Sequence, residues 1–360
     1  MSDNKTAMVG TPCQILAATK INKYEKETGG SSVYVKIGLF CMENFSYSYL
    51  ERFLKEKNIE LYEVKDFRIE KGFFIANLID GNNFKVPVSK TESFTRKNCH
   101  VCTDYTADTA DISVGSVGSN KDYSTLIIRT EKGKKIIDEC VKQGYIETKP
   151  ISEKGLRLLK AIASKKITKN LAYINKREAV SRPVLSKRSV NEEEFIRESK
   201  DCQFTNLEDD VISVGGCVLC GACEYVCPED IITIDDRKPF KTGVCPEDCH
   251  ACYFACPRTF VSNEIYSENI DEKPLGEYID IVSAKSDAVI GQDGGVVSSI
   301  LIYLLENNFV DEVSIVGVDN NAPWKPFSYL TPNVEDVVAA AGTKYSTVPI
   351  GFKALKEKGD

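Results

Sequence analysis

Eight cysteines between residues 217 and 256 form two closely similar motifs, which constrain the fold more than any other feature of the chain. The first motif reads Cys217-Val-Leu-Cys220-Gly-Ala-Cys223-Glu-Tyr-Val-Cys227-Pro228. The second reads Cys245-Pro-Glu-Asp-Cys249-His-Ala-Cys252-Tyr-Phe-Ala-Cys256-Pro257, with one extra residue between its first two cysteines. Three thiolates on one short loop can hold three corners of a 4Fe–4S cluster. The alternatives are a disulfide framework or a zinc ribbon, which usually shows separate C-x2-C pairs. The spacing therefore predicts two iron–sulfur clusters.

This spacing is typical of bacterial two-cluster ferredoxins, in which the cysteine before proline ligates the other cluster. The ligands of one cluster are then Cys217, Cys220, Cys223 and Cys256. The ligands of the second are Cys245, Cys249, Cys252 and Cys227. The two clusters define a ferredoxin module over residues 211–262 and predict that the chain transfers electrons.

The composition argues against several other functions. The chain has 360 residues, enough for two or three domains, and its net charge of −7 argues against nucleic-acid binding. No apolar run approaches 18 residues and Met1 begins no signal peptide, so we expect a cytoplasmic protein without a transmembrane segment. Its two histidines, His100 and His250, lie inside cysteine motifs and are interpreted as spacers. Redox cofactors therefore remain as the carriers of the chemistry.

The remaining chain alternates predicted strands and helices, which indicates a mixed α/β core. Residues 5–17 read as a strand, a Gly/Pro turn and a helix start, and a strand at 33–41 leads into a helix at 43–54. Residues 59–90 predict an antiparallel β excursion, whereas 181–210 are polar without periodicity and predict a linker. Further helices are predicted at 132–142, 153–178, 296–305 and 334–341, and further strands at 124–129, 278–285 and 312–318.

Six cysteines lie outside the ferredoxin module, and four of them form a second kind of pattern. Cys13 and Cys41 end predicted strands, while Cys99 and Cys102 form a C-x2-C pair. If the two strands are parallel neighbours, all four thiols can meet at one edge of the sheet and hold a third 4Fe–4S cluster. A structural zinc ion at the same thiolates is the alternative. The other two, Cys140 and Cys202, are interpreted as plain thiols.

Five motifs outside the ferredoxin module carry a family resemblance. They are Val9-Gly-Thr-Pro-Cys-Gln14, Ile37-Gly-Leu-Phe-Cys-Met-Glu-Asn-Phe45, the stretch 99–118, Gly291-Gln-Asp-Gly-Gly295 and Ala341-Gly-Thr-Lys-Tyr345. Together they closely resemble the beta subunit family of coenzyme F420-reducing hydrogenase and F420-dependent formate dehydrogenase. With the ferredoxin module, the resemblance covers nearly the whole chain outside the linker.

The resemblance implies an α/β flavoprotein core with noncovalent FAD and an inserted ferredoxin module carrying two 4Fe–4S clusters. It implies hydride transfer between the deazaflavin F420 and FAD, followed by single-electron transfer to a partner. That partner would be a hydrogenase, a formate dehydrogenase or another redox enzyme subunit. The family's cluster ligands fall on Cys13, Cys41, Cys99 and Cys102, which gives three clusters in total.

The resemblance also places FAD near three stretches of this sequence. They are Gln292, Asp293, Gly294 and Gly295; then Thr343, Lys344 and Tyr345; then Gly115, Gly118 and Ser119. The first stretch suits a pyrophosphate because a glycine-rich loop that opens a helix offers backbone N–H groups to an anion. No residue is assigned to catalysis or to contact with F420.

The order of the segments departs from the family. Relatives usually carry the ferredoxin first, then the Gln-Asp-Gly-Gly segment, then the Gly-Thr-Pro-Cys segment, whereas here the last of these comes first. We expect a circular permutation, with a tandem fragment and a gene-assembly artefact as alternatives. A permuted chain would fold residues 1–180 and 276–360 as one flavin and F420 core, with Met1 near Asp360.

Two other functions compete with F420 oxidoreduction. One is a ferredoxin-dependent reductase of another substrate, similar to 7-hydroxymethyl chlorophyll reductase. The other is a plain electron carrier in which only the ferredoxin module is active. The residue sequences around Cys41 and Ser119 are more similar to the F420-dependent members of the family than to the chlorophyll reductase. Five intact motifs outside the ferredoxin module argue against the plain electron carrier.

Overall fold

The computed structural model describes residues 4–30, 33–187, 189–234, 238–266, 273–286, 294–319 and 321–346, together with residues 352 and 355. The expected proximity of Met1 and Asp360 concerns residues outside these ranges. The predicted flavin residues Gln292 and Asp293 also lie outside them.

The strands and helices follow the predicted alternation. The strands are β1 Thr6–Gly10, β2 Val35–Leu39, β3 Val64–Glu70, β4 Phe73–Leu78, β5 Asn83–Pro87, β6 Ile112–Gly115, β7 Ser124–Ile128, β8 Glu147–Pro150, β9 Ser189–Val190, β10 Ile232–Ile234, β11 Pro239–Lys241, β12 Val261–Ser262, β13 Asp280–Lys285, β14 Glu312–Val318 and β15 Pro326–Thr331. The α-helices are α1 Pro12–Lys23, α2 Glu25–Thr28, α3 Tyr47–Lys55, α4 Glu131–Lys142, α5 Glu153–Glu178, α6 Glu192–Ser199, α7 Phe204–Leu207, α8 Ala222–Tyr225, α9 Ala251–Ala255, α10 Val296–Glu306 and α11 Val334–Ala339.

A mixed eight-stranded sheet in the order β15-β14-β1-β2-β6-β7-β13-β8 forms the centre of the fold. Its inner strands β14, β1, β2 and β6 are parallel, and the flanking strands are antiparallel to their neighbours. Parallel neighbours bring their carboxyl ends to one edge, where ligands of α/β proteins usually bind. The sheet also joins the two ends of the sequence, because β1 pairs with β14 and β7 pairs with β13.

Helices cover both faces of this sheet. Along β7, Leu126 and Ile128 pack with residues of α4 and α10, whereas Ile127 between them packs with residues of α5. Successive side chains of a strand point to opposite faces, so α5 lies across the sheet from α4 and α10. The sheet is therefore buried on both sides, as parallel sheets require.

Two stretches outside the sheet compare differently with the sequence predictions. The predicted β excursion is confirmed as the antiparallel sheet β3-β4-β5, which packs around Phe45, Phe74 and Phe94. The stretch predicted as a linker instead contains the helices α6 and α7, and Phe195 of α6 is fully buried. Helix α6 buries only Phe195 and Ser199, too few residues to produce a visible apolar period.

None of the helices in the described ranges is both long and apolar enough to cross a membrane.

Candidate iron–sulfur and flavin site

The carboxyl ends of the parallel neighbours β1 and β2 lead directly to two of the predicted ligands. Cys13 lies in the first turn of α1, not at the strand end itself. Thr11 immediately precedes that helix, and its backbone N and its Oγ1 donate hydrogen bonds to Gln14 Oε1 at 2.7 and 2.6 Å. Cys41 lies just beyond β2, and its backbone N donates to the carbonyl of Tyr105 at 2.9 Å. Both thiols are thus held by short, well-defined segments at one sheet edge.

Helix α5 fixes the C-x2-C loop and the Cys41 loop to each other. Asn170 donates to the carbonyls of Cys99 and Cys102 at 3.0 and 2.5 Å. One turn earlier, the buried Lys166 donates to the carbonyls of Cys41 and Asp104 at 2.5 and 2.7 Å. Sequence reasoning missed both residues, since a lysine in a lysine-rich helix gives no signal of burial.

The four thiols Cys13, Cys41, Cys99 and Cys102, here called the sheet set, are electrostatic neighbours. Burial raises the pKa of the Cys41 thiol, and negative charge on the other three raises it further, against Lys166. Burial raises the pKa of Cys99 to about 11, with Cys13 and Cys102 adding to it against a hydrogen bond from Asn44. The fold therefore makes these four thiols electrostatic neighbours, and the cluster that they would hold stays a prediction.

The two ligand groups predicted for the ferredoxin module each contain thiols that are electrostatic neighbours in the structure. The first, here called the proximal set, is Cys217, Cys220, Cys223 and Cys256. The second, here called the distal set, is Cys227, Cys245, Cys249 and Cys252. Burial is the largest cause that raises the pKa of Cys220 in the proximal set and of Cys252 in the distal set, and thiolates of the same set add to each shift.

The three sets follow one another in space. Negative charge on Cys13 of the sheet set acts on Cys220 of the proximal set. Charge on Cys252 of the distal set acts on Cys223 of the proximal set. The proximal set is therefore an electrostatic neighbour of both the sheet set and the distal set.

The donor set fits iron–sulfur clusters. Within the described part of the chain, no three His, Cys, Asp or Glu side chains are arranged to hold one metal ion together. A 4Fe–4S cluster makes a different demand, because each thiolate binds a different corner of the cube. Three buried nitrogens lie within two residues of predicted ligands in sequence and have no hydrogen-bond partner among the described residues: His100 Nε2, His250 Nδ1 and Arg258 Nε. Cluster sulfides would supply acceptors for such donors.

A pocket of about 210 Å³ opens at the same sheet edge. A single water needs only about 10–15 Å³ of such space, so the pocket is large enough for a substantial ligand. Strand ends β1, β2 and β14, the start of α10 and the segment after α11 line it. Its walls are largely apolar, with polar groups from Thr11, Gln14, Asn44, Ser298 and Lys344.

The pocket adjoins the sheet set through two shared residues. Thr11 lines the pocket, and its Oγ1 lies 3.3 Å from Cys13 Sγ. Asn44 also lines the pocket, and its backbone N donates to Cys99 Sγ at 3.3 Å. A ligand in this pocket would therefore be separated from two of the thiols by single residues.

The predicted flavin residues divide into two groups. Gly295, Thr343 and Lys344 line the pocket, and Gly294 immediately precedes Gly295 with a positive φ of 89°. Tyr345 lies beside them, where its carbonyl accepts from the backbone N of Phe45 at 2.9 Å.

The residues of the other group contact protein neighbours away from the pocket: they are Gly115, Gly118 and Ser119. A Cβ on Gly115 would lie 2.1 Å from the ring of Phe40, and one on Gly155 would lie 1.9 Å from the carbonyl oxygen of Gly118. Ser119 Oγ is 2.7 Å from the hydroxyls of Thr125 and Ser283. None of the three is among the described residues that line the pocket.

Two models of one protein family match this chain, in reversed order. Residues 3–154 match the model of the C terminus of the coenzyme F420 hydrogenase/dehydrogenase beta subunit. Residues 281–356 match the model of the N-terminal part of the same beta subunit. The two segments are thus in permuted order, and the sheet described above contains strands from both.

Individual relatives agree with these matches. The chain is 40% identical over 183 residues to the coenzyme F420 hydrogenase subunit beta of Methanococcus voltae, covering 50% of this chain and 65% of the relative. It is 28% identical over 268 residues to the F420-dependent formate dehydrogenase subunit beta of Methanocaldococcus jannaschii, covering 64% and 69%. A chain in a solved structure of the F420-reducing nickel–iron hydrogenase complex from Methanosarcina barkeri is 39% identical, with a TM-score of 0.47 and coverage of 49% and 62%. The matched part spans slightly less than two thirds of the F420 hydrogenase beta subunits.

Proposed function

Because the chain belongs to the coenzyme F420 hydrogenase/dehydrogenase beta subunit family, we propose that it is an FAD-dependent F420 oxidoreductase subunit. It would exchange hydride between F420 and FAD and pass single electrons through three 4Fe–4S clusters. One observation carries the proposal: Thr11 and Asn44 line the pocket and also form hydrogen bonds with thiols of the sheet set. A hydride acceptor and a one-electron carrier would thus be neighbours.

In this proposal the pocket holds the flavin. Helix α10 begins at Val296 in the pocket wall, after two glycines with positive φ, so its free N–H groups and positive dipole end suit a pyrophosphate. Lys344 adds a cation to the same wall. When bound, FAD supplies the conversion between a two-electron hydride and single electrons, while the protein supplies binding and orientation.

The three thiol sets would give the electrons a path between the pocket and a partner. The sheet set adjoins the pocket, and the distal set lies farthest along the series and contains the partly exposed Cys245 and Cys249. Residues 1–180 and 276–360 would form the flavin and F420 core, joined through 181–210 to the ferredoxin domain 211–262. Partners of this protein would be a hydrogenase, a formate dehydrogenase or another redox enzyme, which receives or supplies electrons at the distal end.

Anaerobic reconstitution with iron, sulfide and FAD, followed by reduced F420, tests the proposal. We expect about twelve irons per chain from three 4Fe–4S sites and prompt bleaching of the flavin absorbance. Flavin that bleaches only with reduced ferredoxin would instead favour a reductase similar to 7-hydroxymethyl chlorophyll reductase. A chain that binds iron but no flavin would be an electron carrier and would contradict the enzyme assignment.

Lys344 gives the flavin site an expected pH dependence. Burial lowers the pKa of this lysine to about 8. The ammonium is therefore charged below pH 8 and neutral above it, so the affinity for the anionic FAD should fall as the pH rises from 7 to 9. A charge-assisted hydrogen bond contributes about 1.5–3 kcal/mol, so Lys344→Met should weaken FAD binding roughly tenfold or more at pH 7.

Titration of apoprotein with FAD, followed by quenching of flavin fluorescence, measures this effect at both pH values. Lys344→Met should show little change in affinity between pH 7 and 9. The exposed Lys325 provides a matched Lys325→Met control, which should keep the wild-type profile. An equal fall in affinity in wild type and Lys344→Met would assign the pH dependence to another group.

A further inference from the structure

Two buried cations cross the boundary between the α/β core and the ferredoxin module in opposite directions. Lys20, on α1 of the core, donates through Nζ to the carbonyls of Cys256 and Phe260 at 2.7 and 2.8 Å, and to Thr259 Oγ1 at 2.8 Å. Arg258, in the module, donates to the carbonyls of Val101 and Asn98 at 3.3 and 3.4 Å. Each cation therefore holds a ligand-bearing loop of the other unit.

Arg258 lies among thiols of two sets, whereas Lys20 lies beside thiols of the proximal set only. Arg258 acts electrostatically on Cys13 of the sheet set and on Cys217 and Cys256 of the proximal set. Lys20 acts on Cys256 of the proximal set. The two positive charges thus lie where the sheet and proximal sets are neighbours.

These charges are not neutralised by carboxylates in the described part of the chain, where neither Lys20 nor Arg258 has an ion-pair partner. Lys20 is fully buried and Arg258 is 8% exposed. Charges act more strongly in such an interior than in water because screening is weaker. Burying unpaired cations is costly unless anionic groups lie nearby, and thiolate-bound clusters would supply that negative charge.

We propose that Lys20 and Arg258 are positioning residues that fix the ferredoxin module on the core and raise the reduction potentials of the sheet and proximal clusters. The inference rests on the cluster assignment of the proposed function. A reduced cluster carries one more negative charge than an oxidised one, so a nearby fixed cation favours reduction. Arg258 acts on both clusters, whereas Lys20 acts mainly on the proximal cluster.

Potentiometric EPR titration of the reconstituted chain, with dithionite as reductant and redox mediators, tests the inference without F420. For Arg258→Gln we expect one-electron reduction of the sheet and proximal clusters to become about tenfold less favourable, a fall of about 59 mV. Lys20→Gln should lower the potential of the proximal cluster alone. Arg258→Lys keeps the charge and should restore most of the potential.

The spectra supply a second readout, since two neighbouring reduced clusters broaden each other's signals through spin coupling. Loss of this broadening in Arg258→Gln would show that the spacing has changed. The exposed Arg197 of α6 offers a matched control, and Arg197→Gln should leave potentials and line shapes unchanged. If Arg258→Gln fails to hold its clusters, Lys20→Gln and Arg258→Lys decide the question.

Unchanged potentials in Lys20→Gln and Arg258→Gln at full iron content would overturn this inference and leave the proposed function standing. A wild-type chain that binds no iron on reconstitution would overturn both.

Discussion

Cys13→Ala is expected to disconnect the pocket from the ferredoxin module. Iron should fall from about twelve to about eight atoms per chain, because one 4Fe–4S cluster loses a ligand. Reduced F420 should still bleach the flavin, since the pocket residues remain. Outer-shell changes at metal sites already cost about 10–100-fold, so electron arrival at the proximal and distal clusters should slow by at least about 100-fold.

The position of Cys13 explains the size of this effect. Its Sγ is hydrogen-bonded to Oγ1 of the pocket residue Thr11 at 3.3 Å, and its charge acts on Cys220 in the proximal set. It therefore belongs to the step that joins the flavin pocket to the module. Rapid mixing with reduced F420, freezing, and EPR of the reduced clusters measures the rate directly.

Cys140→Ala is the matched control, because Cys140 is also a buried thiol but packs among the apolar residues of α4 and α10. It should keep about twelve irons, the number for three 4Fe–4S clusters, and the wild-type rate. A Cys13→Ala chain with the same iron content and rate as Cys140→Ala would contradict the assignment of the sheet set.

Gly155→Ala is expected to destabilise the chain by about 3 kcal/mol, at the upper end of the cost of overpacking. The new Cβ would lie 1.9 Å from the carbonyl oxygen of Gly118, and a backbone atom cannot move aside as a flexible side chain can. Gly155 is in the first turn of α5, where its backbone N donates to the cap residue Ser152 at 3.1 Å.

The consequence extends to the cluster site. Helix α5 also carries Lys166 and Asn170, which hold the loops of Cys41, Cys99 and Cys102. Moving its first turn should weaken cluster binding in the sheet set as well as lower the melting temperature. Circular dichroism of the apoprotein during heating measures the change in melting temperature, and iron content after reconstitution measures the change in cluster binding.

Leu158→Ala, a truncation of a 52% exposed side chain in the same helix, provides the control and should change the melting temperature little. If Gly155→Ala has the same melting temperature as Leu158→Ala and binds the wild-type amount of iron, the contact between Gly118 and Gly155 does not exclude a larger side chain at position 155. The resemblance to flavin-binding relatives would then be the remaining reason for Gly118.

The sequence predicts best where the information is local. The ligand triplets of the ferredoxin module are predicted from spacing along one loop, and thiols of each triplet are electrostatic neighbours in the structure. Helix α5 at Glu153–Glu178 and strand β14 at Glu312–Val318 match the predicted ranges. Strand β15 was not predicted. It lies at the edge of the sheet and buries only its first and last residues, Pro326 and Thr331, so its sequence contains no buried apolar run.

The contacts of Gly115 and Gly118 show what a sequence motif cannot specify, which is the group that a glycine packs against. Gly115 and Gly118 belong to a stretch that resembles flavin-binding relatives, and from sequence alone a glycine beside a phosphate cannot be distinguished from one beside another backbone. The structure supplies the neighbours: the Phe40 ring beside Gly115 and the start of α5 beside Gly118.

The sequence by itself thus determined which family the segments resemble and predicted which thiols of the module share a cluster, because both depend on residues close together in the chain. Only the tertiary structure decided that the pocket adjoins the sheet set and that two cations lie between the sets. Lys20 meets Cys256 across 236 residues, and Arg258 meets Val101 across 157. Contacts at such separations depend on the order of strands in the sheet and on the docking of the module, which no local pattern records.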